Sequence, residues 1–188
     1  IVTTHTYEDR LETLRNSRKA GLENCSGMIA GMGESDNDVV DVALEVRRLG
    51  VPSIPVNFLV PVEGNRIFDF DQLDPIRCVR ILCLFRFLNP KAEIRMGGGR
   101  EGHLRGLQSL ALYAANSVFV EGYLVTRGDR KNKVFRLIKD AGFEIENEAA
   151  FNIEDNEASS KKFSIDDNPS ILNPKTTKPE GCAPSTCS

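Results

Sequence analysis

Arg95 is the residue of this chain whose surroundings say most about chemistry. In Glu93-Ile94-Arg95-Met96-Gly97-Gly98-Gly99-Arg100-Glu101 it stands between two apolar residues. Strand alternation then sends Ile94 and Met96 to one face and Arg95 to the other. A guanidinium pointing into a core is costly unless paired, so a partner with negative charge is expected, and a structural ion pair is its ordinary explanation. The same alternation sets Asn57 opposite Val56 and Phe58, and puts Cys25, Gly27 and Ile29 on one face. A thiolate is a soft ligand suited to iron–sulfur clusters, and a cluster's sulfides and negative charge suit a buried guanidinium as neighbour. A lone strand cysteine is more often a small core residue, and spacing alone does not overturn that.

The remaining reactive side chains have plainer readings. Cys78 and Cys83 lie five apart on one helix and read as packing residues. Cys182 and Cys187, at Cys-x4-Cys spacing, read as two exposed thiols near the C-terminus. Gly97-Gly98-Gly99 has neither Walker lysine spacing nor a dinucleotide fingerprint, so it is expected to be a tight turn after a strand. His5 and His103 are expected at the surface or at helix starts, with nothing pairing them as ligands.

The elements that must position these residues alternate between helix and strand. Thr6 with Asp9 forms a capping-box signature ahead of a helix that Lys19-Ala20-Gly21 stops. A strand is expected from Leu22 to Ile29, ended by Gly31-Met32-Gly33. Ser35 and Asp38 repeat the capping box before a helix carrying Val39, Val42, Ala43, Val46 and Leu49. A strand from Ser53 to Val60 follows, with Pro55 placed at its beginning or at a bulge because proline cannot donate to a ladder. Pro61 to Leu73 reads as a loop. Asp74-Pro75 caps a helix that Asn89-Pro90 terminates, and the Arg95 strand begins near Ala92. Leu104 to Ala114 and Val134 to Ala141 mark two more helices. Three strands separated by helices predict a parallel α/β sheet, open or closed into a barrel. From Asn147 to Ser188 apolar residues are too sparse to offset the entropy of ordering, and a disordered tail is expected.

Composition bounds the function. A chain of 188 residues that is 40% hydrophobic and 27% charged can build one core in residues 1–146. Its net charge of −3 argues against nucleic acid or an anionic membrane as partner. No apolar run approaches the length of a membrane span, and five cysteines in unpaired spacing suit a reducing, cytoplasmic interior.

Five blocks together carry a resemblance: Thr3-Thr4-His5-Thr6-Tyr7-Glu8-Asp9-Arg10-Leu11; Asn24-Cys25-Ser26-Gly27-Met28-Ile29-Ala30-Gly31-Met32-Gly33-Glu34; Ser53-Ile54-Pro55-Val56-Asn57-Phe58-Leu59; Arg95-Met96-Gly97-Gly98-Gly99-Arg100-Glu101; and Ala114-Ala115-Asn116-Ser117. In this order, over roughly residues 1 to 145, the chain resembles the C-terminal half of the biotin synthase family of radical S-adenosylmethionine enzymes. The resemblance implies half of a (βα)8 TIM barrel. It also implies a 4Fe-4S cluster that cleaves S-adenosyl-L-methionine and a 2Fe-2S auxiliary cluster that donates sulfur to dethiobiotin, the last step in making biotin. By the same resemblance, Cys25 and Arg95 match auxiliary-cluster ligands and Asn57 the dethiobiotin contact. Arg10 matches the arginine on the S-adenosylmethionine carboxylate, and Val60 the strand backbone beside that cofactor. A flavodoxin- or ferredoxin-type electron donor and a homodimer are implied as well. None of the five cysteines makes the family's Cys-x3-Cys-x2-Cys motif. A truncated chain, inactive alone, is therefore expected. The competing readings are another enzyme of the superfamily and a non-catalytic iron–sulfur-binding half-barrel.

Overall fold

In a computed structural model, residues 4–61, 73–123 and 126–146 are described. They begin with α1 (Tyr7–Lys19), β1 (Met28–Ala30), α2 (Asp36–Arg48), β2 (Ser53–Phe58), α3 (Pro75–Leu88) and β3 (Glu93–Met96). Then come α4 (Arg100–Leu104), a 3-10 turn (Arg105–Leu107), α5 (Gln108–Ala111), β4 (Ser117–Val118), β5 (Gly122–Tyr123), β6 (Thr126–Arg127) and α6 (Lys131–Asp140). The expected tail, with Cys182 and Cys187, and most of the expected loop before Leu73 lie outside the described residues.

Local chemistry sets the helix ends. Thr6 and Ser35 each exchange bonds with the residue three positions on, Asp9 and Asp38, and so satisfy amides that have no partner inside the helix. Asp74 caps α3 with Pro75 in its first turn, where a missing N–H costs nothing. The expected helix from Leu104 to Ala114 is instead three short pieces from Arg100 to Ala111, and Arg105 at φ 50° sits where they break. Such a backbone angle cannot continue an α-helix.

Four strands form a parallel sheet in the order β1-β2-β3-β4, one more than the sequence suggested, because β4 is only two residues long. A separate antiparallel pair, β5 and β6, follows. Ala30, Ile54, Val56, Phe58, Ile94 and Met96 share one sheet face, buried in a single cluster with Val39, Ala43 and Val46 of α2 and Ile81, Leu82 and Phe85 of α3. Fully buried aliphatics such as Ile54, Ile94 and Leu82 contribute about 2 kcal/mol each. Cys78 joins this cluster as a packing residue, and burial pushes its thiol up to about 12. Among the described residues no helix is long and apolar enough to cross a membrane.

The strand expected from Leu22 is much shorter, since β1 starts at Met28 with only an isolated bridge from Cys25 to Ser53 before it. Pro55 explains the difference. It sits third in β2, inside the sheet rather than at an end or bulge, and its carbonyl faces Gly27. A strand residue presents its N–H and C=O to the same parallel neighbour, so the donor that proline lacks is missing toward β1 at Gly27. Continuous ladder pairing therefore begins past that point, with one bond, from Ser26 N to Ser53 O, before it. Gly27 itself is pressed close, and a Cβ there would stand 1.9 Å from the Pro55 carbonyl oxygen. Because that obstacle is backbone, Gly27→Ala must part β1 from β2. The expected cost is about 2 kcal/mol or more, read as a lowered thermal midpoint by circular dichroism. An unchanged midpoint contradicts the close approach.

Candidate functional site

The parallel register lines up side chains across the face of the sheet opposite the buried cluster. Ser53 pairs with Cys25 on one side and with Glu93 on the other. One row is thus Cys25, Ser53 and Glu93. Pro55 pairs with Arg95, which pairs with Ser117. Ile29 pairs with Asn57, and Gly97 continues that row beyond β3. Along β2 and β3 the alternation is plain: Ser53, Pro55, Asn57, Glu93 and Arg95 are half-buried, while Ile54, Val56, Phe58, Ile94 and Met96 between and beside them are packed away, and Cys25 and Ile29 are exposed. Cys25, Asn57 and Arg95, singled out from the sequence, therefore stand on one open face.

Arg95 does not enter the closed core. About a third of its side chain is exposed, and its partner is Glu93, two residues earlier on the same strand. Nε and Nη2 both donate to the same Glu93 oxygen, Oε2, at 3.0 and 2.8 Å. The Ser53 hydroxyl donates to that oxygen as well, at 3.2 Å. Burial works to raise the Glu93 carboxyl, but bonds from Arg95, Ser117 and Ser53 outweigh it and hold the group below its ordinary value of 4.5. The expected negative partner is thus supplied within the chain. Nη1 makes no hydrogen bond among the described residues.

Asn57 is fixed by the glycine turn. Its Oδ1 accepts from the Gly98 amide at 2.8 Å, while Gly97 N donates to Val56 O and Phe58 N to Gly98 O. With the acceptor end engaged, the amide's orientation is set and Nδ2 is the end left to donate outward. The turn needs its glycines: Gly99 has φ +79°, and a Cβ there would lie 2.0 Å from Phe58 O. Beyond it Arg100 is wholly buried, bonded to Gln108 and Phe119 and paired with Glu101 at 2.8 Å. Glu101 in turn accepts from the Asp129 amide at 3.0 Å. This ties the turn to the segment leading into α6.

Asn116 locates the far edge of the face. Its Oδ1 accepts from Ile94 N at 2.9 Å and from Arg86, whose guanidinium also donates to the carbonyls of Ala114 and Ala92. Ser117 is thereby held beside Arg95.

Two other expected site residues stand apart. Arg10 is exposed on α1, and its Nε donates to His5 Nε2 at 3.0 Å. Among the described residues no hydrogen bond or ion pair ties it to Cys25, Asn57 or Arg95. Val60 follows β2, more than a third exposed, against the glycine turn at Gly99. His103, expected at the surface or at a helix start, lies in the short α4 and is buried, with its ring Nε2 at 2.8 Å from Leu59 O. Helix α4 is folded back under the end of β2, so a polar residue on it meets a carbonyl there rather than water. Sequence reasoning passed over Glu93, Ser53 and Ser117. The alternation that placed Arg95 also places Glu93 beside it, and that signal was readable.

Comparison with known proteins bears on this face. Residues 55–144 match the model of the Biotin and Thiamin Synthesis associated domain. Over 177 residues the chain is 62% identical to a biotin synthase from Acaryochloris marina, which covers 94% of this chain and 51% of that protein. A biotin synthase from Magnetococcus marinus is 55% identical over 146 residues, 78% of this chain and 46% of that one. A third, from Streptomyces coelicolor, is 49% identical over 159 residues, 85% of this chain and 39% of that one. The chain spans about half the length, or less, of these relatives. By these matches the chain carries the Biotin and Thiamin Synthesis associated domain and is similar to the C-terminal portion of biotin synthases.

Proposed function

We propose that this chain forms the part of a biotin synthase that holds the sulfur-donating centre and its acceptor on the open face of a partial (βα)8 barrel. The observation that carries this reading is the shared face of Cys25, Asn57 and Arg95, in a chain 62% identical to a biotin synthase. A metal-cluster role fits these residues. Cys25 is exposed, so its sulfur is accessible as a soft donor. Small residues, Gly27, Ser53 and Pro55, form the floor between it and the Glu93–Arg95 pair. Two strand spacings sideways and two residues along put the Cys25 and Arg95 backbones roughly 12 Å apart. A long arginine side chain can close much of that gap.

When bound, the auxiliary cluster supplies sulfur, while a 4Fe-4S cluster with S-adenosylmethionine supplies the radical chemistry that opens the acceptor's carbon–hydrogen bonds. Cys25 offers the thiolate and Arg95 a guanidinium to the first of these. Asn57 directs its Nδ2 donor at a ureido carbonyl, its own orientation fixed by Gly98. Arg10 is suited by its fork of donors to a carboxylate, with Val60 lining the same cofactor's approach. The cysteines of a Cys-x3-Cys-x2-Cys segment are not among these 188 residues, so the activity needs a chain that supplies them. A flavodoxin- or ferredoxin-type donor and pairing of two copies belong to the same reading.

The test uses this chain joined to the remaining half of a biotin synthase. Cys25→Ala is expected to abolish stable auxiliary-cluster binding, measured by iron content and visible absorption, and with it biotin formation. Arg95→Lys is expected to leave a cluster partly assembled, since thiolates dominate its affinity. Unchanged cluster spectra in Cys25→Ala contradict the reading.

Ligand binding separates the remaining roles. Asn57→Ala is expected to weaken dethiobiotin about tenfold, the loss of one buried hydrogen bond, with little change for S-adenosylmethionine. Arg10→Ala should show the reverse pattern. Equal losses for both ligands in both variants, measured by equilibrium binding, refute the assignment.

A further inference from the structure

Arg95 and Glu93 are adjacent on one face because a strand returns to the same side every second residue. Such neighbours can interact without any other strand, yet two further strands converge on this pair. Ser53 of β2, level with Glu93, donates to the carboxylate oxygen that Arg95 uses, and Ser117 of β4 stands level with Arg95. Both Nε and Nη2 are taken by Oε2 at 3.0 and 2.8 Å. A guanidinium is planar, so two nitrogens held on one edge fix the direction of the third. Free arginine side chains otherwise lose much rotamer entropy on taking up a ligand.

We propose that Glu93 is a positioning residue for Arg95: its carboxylate oxygen grips Nε and Nη2 and so presents Nη1 to the metal centre on the open face. This rests on the reading that Arg95 serves that centre. Glu93 does not itself hold the cluster; it acts through Arg95. Ser53 sets the carboxylate by occupying the side of Oε2 toward β2, within the row that also contains Cys25. The sulfur ligand and the support of the nitrogen ligand are thus linked through one hydroxyl-bearing residue.

The experiment uses the cluster-loaded full-length protein and compares Glu93→Ala, Glu93→Gln, Arg95→Met and the double variant Glu93→Ala/Arg95→Met. Iron content, the Mössbauer and visible signatures of the auxiliary cluster, and the split between kcat and KM for dethiobiotin are measured. Glu93→Ala is expected to keep its iron, to shift the cluster signature toward that of Arg95→Met, and to lose about tenfold in kcat with KM little changed. Glu93→Gln keeps an acceptor oxygen and should restore most of the wild-type signature. The double variant should match Arg95→Met alone, because a residue acting through Arg95 has nothing left to act on. A wild-type signature in Glu93→Ala, beside an altered one in Arg95→Met, overturns the positioning role. So does Glu93→Gln behaving as Glu93→Ala, or a double variant worse than Arg95→Met. If Arg95→Met itself leaves the signature unchanged, the reading of Arg95 as metal-facing fails instead, and the positioning role with it.

Discussion

Because Ser53 lies level with Cys25 on one side and with Glu93 on the other, the register of β2 between its neighbours decides which side chains share the open face. In a strand, a slip of one residue moves every side chain to the opposite face. Such a slip would bring Ile54, Val56 and Phe58 into the open and bury Ser53 and Asn57. The buried row, worth several kcal/mol of apolar burial, therefore holds the polar row in place without touching it. The close approach of Gly27 to Pro55 adds a steric stop, and the missing proline donor ends continuous ladder pairing where Cys25 begins to project.

At the other end of the strands the glycine turn performs a second fixing. Gly98 takes the acceptor end of Asn57, and Gly99 passes under Phe58 in a conformation that side-chain-bearing residues rarely adopt. Arg100 would be an expensive passenger in that core without Glu101, Gln108 and Phe119. Burial presses its guanidinium toward losing its proton, while the nearby carboxylates of Glu101 and Asp129 work the other way. The ion pair next to the turn thus secures the backbone that secures Asn57.

Much of this was legible in the sequence. Capping boxes at Thr6 and Ser35, the Asp74-Pro75 start and the alternation around Arg95 all rest on local rules, and local rules are what a sequence displays. Period-two counting gave the face of Asn57 and of Arg95 within each strand, and the parallel register then joined them with Cys25 on one face. What escaped depended on tertiary placement. Strand β4 is two residues long and exists because Asn116 bridges Ile94 and Arg86. His103 is buried because α4 packs beneath Leu59.

That Cys25 and Arg95 face one metal centre is the claim on which the functional account turns. The most direct measurement is an anomalous difference map at the iron absorption edge, from crystals of the cluster-loaded full-length protein. The account predicts an iron peak bonded to the Cys25 sulfur, with a guanidinium nitrogen of Arg95 reaching the same cluster across the floor formed by Gly27, Ser53 and Pro55. Iron found only away from this face, with nothing bound at Cys25 and no nitrogen of Arg95 near it, would contradict it.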